Sequence, residues 1–247
     1  MSINHPEELQ GMREAGLIVN QVLEAMKREV RPGVTTGELD EIGRDVMQER
    51  GARSAPQMVY GFPGFNCISV NEEAVHGIPG SRALESGDLL KLDVTIEKDG
   101  YMADAAISVP VGEVALDRRR LAECAERAFR KAMLVARAGY RVSEIGRMVE
   151  REVRRSGFSV IPELGGHGIG RTIHEEPRVP NYPDGEANEI LLEGMVITVE
   201  PIISAGSGET FVADDGWTIV TLDRQPSAHY EHTLVITKGR PLLLTAQ

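Results

Sequence analysis

From Leu9 through Met12, Ala15, Val19 and Leu23 to Met26, apolar residues recur at spacings of three and four, which predicts an amphipathic helix over residues 6–30. Arg31-Pro32-Gly33 ends it, and Thr35 with Glu38 three positions on forms a capping box that starts a second helix running to Gly51. Residues 58–70, ending YGFPGFNCISV, read as a loop rich in glycine and aromatics and lead into NEEAVHGIPG at 71–80. The period then changes to that of strands. Leu89, Leu90, Leu92, Val94 and Ile96 form a mostly apolar run, Glu97-Lys98-Asp99-Gly100 a turn, and Tyr101 to Val111 a returning strand, together a β-hairpin. A turn centred on Lys98 and Asp99 sets Ile96 against Tyr101, Val94 against Ala103 and Asp93 against Asp104. Two carboxylates then share one face among Leu92, Val94, Ala103, Ala105 and Ala106, with Cβ atoms about 4.5–5.5 Å apart. Burying such a pair is costly, which leaves a shared proton or a bound metal to relieve it.

The pattern starts again after Gly112. A long helix is predicted over 117–136 and a shorter one from Ser143 to Gly157. Aligning the segments that begin at Arg31 and Arg137 matches Gly33 with Gly139, Glu38 with Glu144 and Gly51 with Gly157. Further on, GDLLKLD at 87–93 lies against GMVITVE at 194–200, and ADAAISVPVG at 103–112 against YEHTLVITKG at 230–239, setting Asp93 against Glu200 and Asp104 against Glu231. His76 in VHGIPG is echoed by His167 in GHGIG. The expectation is one catalytic domain over 1–247, of α/β (α+β) class. Two pseudo-symmetric halves, about 31–112 and 137–239, would put strands in the centre and helices outside.

Composition narrows the partners. A hydrophobic content of 41% over 247 residues supports a sizeable core, and a net charge of -11 without clustered Lys and Arg argues against nucleic acid and anionic membranes. Arg118 to Arg120 open a helical pattern and read as a solvated face. Polar residues interrupt every long apolar run and no secretory leader pattern opens the chain, so a cytoplasmic location is expected. Cys67 and Cys124 lie in different contexts and read as free thiols.

The chemistry gathers in the Gly/Pro/acid stretches. GGHGIG lets the backbone around His167 approach a neighbour closely, and GMVITVEP leaves Glu200 at the end of an apolar strand. Asp93, Asp104, His167, Glu200 and Glu231 make a set of carboxylates with one imidazole, donors that suit two divalent cations such as Mn, Fe, Co or Zn. A structural zinc would call for cysteines, and Mg or Ca alone would leave the histidine unexplained.

The stretches NEEAVHGIPG, LKLDVTIEKDGYMAD, GGHGIGRTIHEEP, ITVEP, DGWTIVT and YEHTLVIT closely resemble the type I methionine aminopeptidases of the pita-bread metallopeptidases. The resemblance implies the pita-bread fold and hydrolysis at a dinuclear metal centre, removing the N-terminal methionine of peptides and nascent chains when the second residue is small. It implies Asp93, Asp104, His167, Glu200 and Glu231 as metal ligands, Asp104 and Glu231 bridging, with Glu200 also handling protons. His76 and His174 match the histidines that contact substrate, His174 stabilising the oxyanion. Tyr60, Phe62, Cys67 and Trp217 are candidates for the methionine pocket wall. Small departures stand at Ile173 and at His229, where glutamine is usual. Relatives can carry a monovalent cation near the positions of Asn71 and Ser227. A monomer is expected, with the ribosome as a further partner. The alternatives are a proline-directed aminopeptidase and a non-enzymatic binding protein on the same fold.

Overall fold

Helix α1 (Pro6–Glu29) forms where the apolar spacing places it and buries Met12, Ala15, Val19, Leu23 and Met26 on one face. In the computed structural model, which describes residues 1–246, α2 (Thr36–Glu49) follows, with Thr35 and Glu38 closing the capping box. Three further helices complete the set among the described residues: α3 (Ala55–Tyr60), α4 (Leu116–Ala132) and α5 (Val142–Arg155). The stretch expected to be loop over 58–70 is partly regular. Ser54 caps α3 with Pro56 in its first turn, Gly61 ends it at φ 72°, and Cys67–Val70 is a strand. The short helix was hidden because a Ser-Ala-Pro start and a glycine stop also read as turn signals.

The strand Leu89–Lys98 is buried nearly throughout. One edge pairs along its whole length with Tyr101–Pro110, and the other with Cys67–Val70 and Arg53–Ser54. The hairpin register departs from expectation. Its turn is Asp99-Gly100, both residues left-handed (φ 49° and 83°), the two-residue turn that Asp-Gly favours. Lys98 therefore meets Tyr101, Asp93 meets Ala106 and Asp104 meets Thr95, a slip of two residues from the expected Asp93–Asp104 pair. Because side chains alternate, a slip of two keeps both aspartates on one face, now as diagonal neighbours.

In the second half, Val196–Val199 and Ile202–Ser204 run antiparallel to His232–Val235 and Ser227–His229, with both strands interrupted at a carboxylate. His232 pairs with Val199 and His229 with Ile202, so the unchanged register sets Glu200 across from Glu231 in the gap. The halves join along a seam. Ala106 and Glu231 exchange both backbone hydrogen bonds (2.9 and 3.3 Å), and Ser108 Oγ contacts both the N–H and carbonyl of His229 at 2.9 Å. Asp104 N donates to Thr233 Oγ1 (2.9 Å), which donates back to Asp104 O (2.8 Å). One core packs α1 and α2 against the hairpin, and a second packs α4 and α5 against the other half. Helices thus cover the sheets while the seam carries the acids.

Candidate metal centre

A cavity of about 260 Å³ opens onto the seam, and residues of both halves line it. Asp93, Asp104, His167, Glu200 and Glu231 all reach it, with His76, His174 and His229 beside them. His167 lies in the strand Gly165–Gly168. A Cβ at Gly166 would collide with the Thr198 carbonyl and one at Gly168 with that of Glu176, so only glycines let this strand lie so close to its neighbours. His167 Nδ1 sits 2.9 Å from the Gly168 carbonyl, which can only accept; Nδ1 therefore carries the proton and Nε2 keeps its lone pair. Thr198 Oγ1 accepts from His167 N and donates to Glu200 Oε1, both at 3.0 Å, fixing the two residues together.

The acids are crowded. Burial raises the pKa of Asp93, Glu200 and Glu231 well above the carboxylate range, and neighbouring acids, Asp104 first, push the same way. Asp104 itself is raised by burial to about 7, although Thr95 and Asp93 hydrogen-bond to it. Burial draws His167 down to about 4 and lowers His76 and His174 as well. Ligand atoms of Asp104, His167 and Glu231 lie within 4.8 Å of one another, as do those of Glu200, His229 and Glu231. Asp104 Oδ1 and Glu231 Oε1 are buried without any hydrogen-bond partner.

Above the acids, His174 stacks edge-on to His167 at a 4.3 Å centroid distance, and its Nδ1 lies 2.5 Å from the Tyr60 hydroxyl. His76 is held at φ 57°, a left-handed conformation that costs a non-glycine residue energy and keeps its side chain at the cavity. Tyr60, Phe62, Cys67 and Trp217 all line the wall, Phe62 meeting Trp217 edge to face at 5.3 Å, and Ile173 and Ile202 add apolar surface. Trp217 arrives on the loop between Thr210–Val212 and Ile219–Thr221, a hairpin whose second strand pairs with Glu73–Val75 just before His76.

The profile of metallopeptidase family M24 matches residues 10–238. Methionine aminopeptidase 2 of Bacillus subtilis is 45% identical over 247 residues, covering 99% of both chains. The chain belongs to the methionine aminopeptidases of metallopeptidase family M24. The crystal structure of methionine aminopeptidase from Rickettsia prowazekii superposes with a TM-score of 0.95 at 35% identity, covering both chains completely. Prolidase from Pyrococcus furiosus shares the fold, with a TM-score of 0.81 at 23% identity, over 99% of this chain and 65% of its own. Membership of family M24 makes this chain a hydrolase with the pita-bread fold and implies a divalent metal. No helix among the described residues is long and apolar enough to cross a membrane.

The donors present fit the metal that family M24 implies. Orphaned oxygens on Asp104 and Glu231 and the free lone pair of His167 Nε2 converge on one buried spot, where a cation would satisfy all of them. A pH signature follows. Raised carboxyl pKa values mean that the metal-free native state holds protons the unfolded chain has released. The buried histidines, lowered from 6.5, act in the opposite sense below that value, so the stability of chelated protein should fall as pH rises from 6.5 through about 7, the value for Asp104. Metal-loaded protein should lose no stability over the same interval, because its ligands are already deprotonated. Equal slopes in urea melts of the two forms would contradict this electrostatic picture.

His229 went unassigned on sequence, yet its Nε2 lies 3.3 Å from Glu231 Oε2 and 3.7 Å from Glu200 Oε2. Burial draws its pKa down to about 3, so it sits there neutral. Its place two residues before Glu231 was the available signal, since alternate residues of an extended segment share a face.

Proposed function

We propose that this protein removes the N-terminal methionine from peptides and nascent chains whose second residue is small, by hydrolysis at a centre of two divalent cations. Asp93, Asp104, His167, Glu200 and Glu231 would hold them, with Asp104 and Glu231 serving both. The observation that carries the reading is the meeting of unpartnered carboxylate oxygens and a free imidazole lone pair beneath an apolar-walled cavity. Mixed oxygen and nitrogen donors suit Mn, Fe, Co or Zn.

Cations bound there supply Lewis-acid polarisation of the scissile carbonyl and an acidified water. The side chains do the rest. Glu200, at the floor of the cavity, takes up a proton during the reaction and gives it to the leaving amine. Tyr60 donates its hydroxyl proton to His174 Nδ1, which leaves the imidazole proton on Nε2 to donate to the developing oxyanion. His76 positions the substrate amide from its constrained backbone. Tyr60, Phe62, Cys67 and Trp217 receive the methionine side chain. Burial and the neighbouring aspartates hold the Cys67 thiol well above its usual pKa, so it serves as a neutral apolar wall.

The alignment that sets Asp104 against Glu231 also sets Ala106 against Thr233. Under it the two hydrogen-bonded pairs of the seam, Ala106 with Glu231 and Asp104 with Thr233, exchange places. That supports a single domain of two repeated halves, about 31–112 and 137–239. Action on nascent chains places the proposed work in the cytoplasm, beside the ribosome.

A Met-Ala-Ser peptide should survive chelated protein and be cut once one of the four metals is restored; a binding protein on this fold would cut it under no condition. Second-residue choice separates a methionine aminopeptidase from a broader aminopeptidase. With methionine seated, His76 and His174 stand close to the second side chain, and a long one displaces the scissile carbonyl from its attack position. Met-Ser peptides should be cut roughly 10²-fold faster than Met-Lys peptides by kcat/KM. Equal rates would reject gating at that position.

A further inference from the structure

Lys91 is the largest fully buried side chain in the structure, 1% exposed, yet its ammonium makes no ion pair among the described residues. Glu73, which acts on it electrostatically, has its own carboxylate engaged by Val70 N (2.6 Å) and Arg82 (2.9 Å). Lys91 Nζ instead donates to the main-chain carbonyls of Asn71 at 2.7 Å and Ser227 at 3.4 Å. Ser227 gathers the same group: its N and Oγ lie 3.0 and 3.1 Å from Asn71 O, and its Oγ 3.2 Å from Glu73 O. The carbonyls are held in place beforehand. Asn71 is fixed at φ 57°, its amide donating to Asp88 Oδ1 (2.7 Å) and its side-chain oxygen accepting from Leu89 N (3.0 Å).

Buried carbonyl oxygens grouped without a carboxylate form the ligand set of a weakly hydrated monovalent cation; divalent cations call for acids. We propose that the Lys91 ammonium is a tethered cation filling a carbonyl-lined site of Na⁺ or K⁺ type, which frees the fold from any need for the dissolved ion. The site joins the three segments that lead to His76, Asp93 and Glu231. Lys91 lies two positions before Asp93 on the same strand, so the two share a sheet face. A charge fixed by covalent attachment holds these segments in register at any salt composition.

Melting temperatures of the full chain in potassium, sodium and choline chloride at equal ionic strength test this without reference to catalysis. The melts are run at pH 6, where a lysine hydrogen-bonded to carbonyl oxygens alone carries its charge. The wild-type protein should melt at the same temperature in all three salts. Lys91→Ser and Lys91→Asn open room beside the carbonyls. Both should melt lower in choline and recover by about 2–4 °C or more in potassium or sodium. Lys91→Met, which keeps the stem and loses the charge, should stay low in every salt. A wild-type protein that itself gains stability from sodium or potassium over choline would overturn the proposal. So would Lys91→Ser and Lys91→Asn proteins that melt alike in all three salts.

Discussion

Asp104→Ala and Glu231→Ala are each expected to lose both divalent cations and to cut peptide turnover by roughly 10³-fold or more. Glu231 belongs to both groups of converging donors, and Asp104 faces it across the seam with an oxygen that nothing in the protein satisfies. Removing either leaves a single carboxylate to be shared between two metals. His167→Ala should weaken one site and spare the other, because its imidazole offers a single lone pair there. Loss of metal is separable from loss of fold. The carboxylates repel one another when no metal is bound, so chelated Asp104→Asn should melt no lower than chelated wild type. Metal analysis of the purified proteins decides the matter: an Asp104→Ala protein with full metal content and full activity would end the dinuclear reading.

Much of this arrangement was legible in the sequence because its signals are local. The capping box at Thr35 and Glu38 fixed the start of α2, and the three-four spacing from Leu9 to Met26 fixed α1. The acids stood out as carboxylates inside apolar strands, where ordinary folding would not place them. What escaped depended on relations between segments. Either Lys98-Asp99 or Asp99-Gly100 can centre the hairpin turn, and only the left-handed Asp-Gly pair settles the register. The face shared by Asp93 and Asp104 survived because the slip was even. His229 and Lys91 were opaque for the same reason: one acquires meaning from Glu200 and Glu231 across the strand break, the other from the carbonyls of Asn71 and Ser227. Tyr60 was visible as an aromatic in a glycine-rich stretch, but its hydrogen bond to His174, 114 positions away, was not.

That hydrogen bond shapes the second large effect. His174→Ala should lower kcat by about 10²–10³-fold with metal content unchanged, the loss that follows removal of one donor to a developing oxyanion. The imidazole lies above the acids, stacked on His167 and tied to Tyr60, and it has no place among the converging donors. KM for a Met-Ala-Ser peptide should change little, since the donor acts most strongly once charge has formed on the carbonyl oxygen. Tyr60→Phe should move kcat in the same direction by less, because Nδ1 loses the hydroxyl that selects the Nε2–H tautomer while the imidazole itself remains. His76→Ala should also leave the metal in place and reduce turnover by misplacing the substrate amide, raising KM as well as lowering kcat. The three variants thus predict a pattern: metal retained throughout, with a pure kcat loss at His174 and a mixed loss at His76. A His174→Ala protein that came back stripped of metal would show that this histidine binds the cations and leaves the oxyanion to another group.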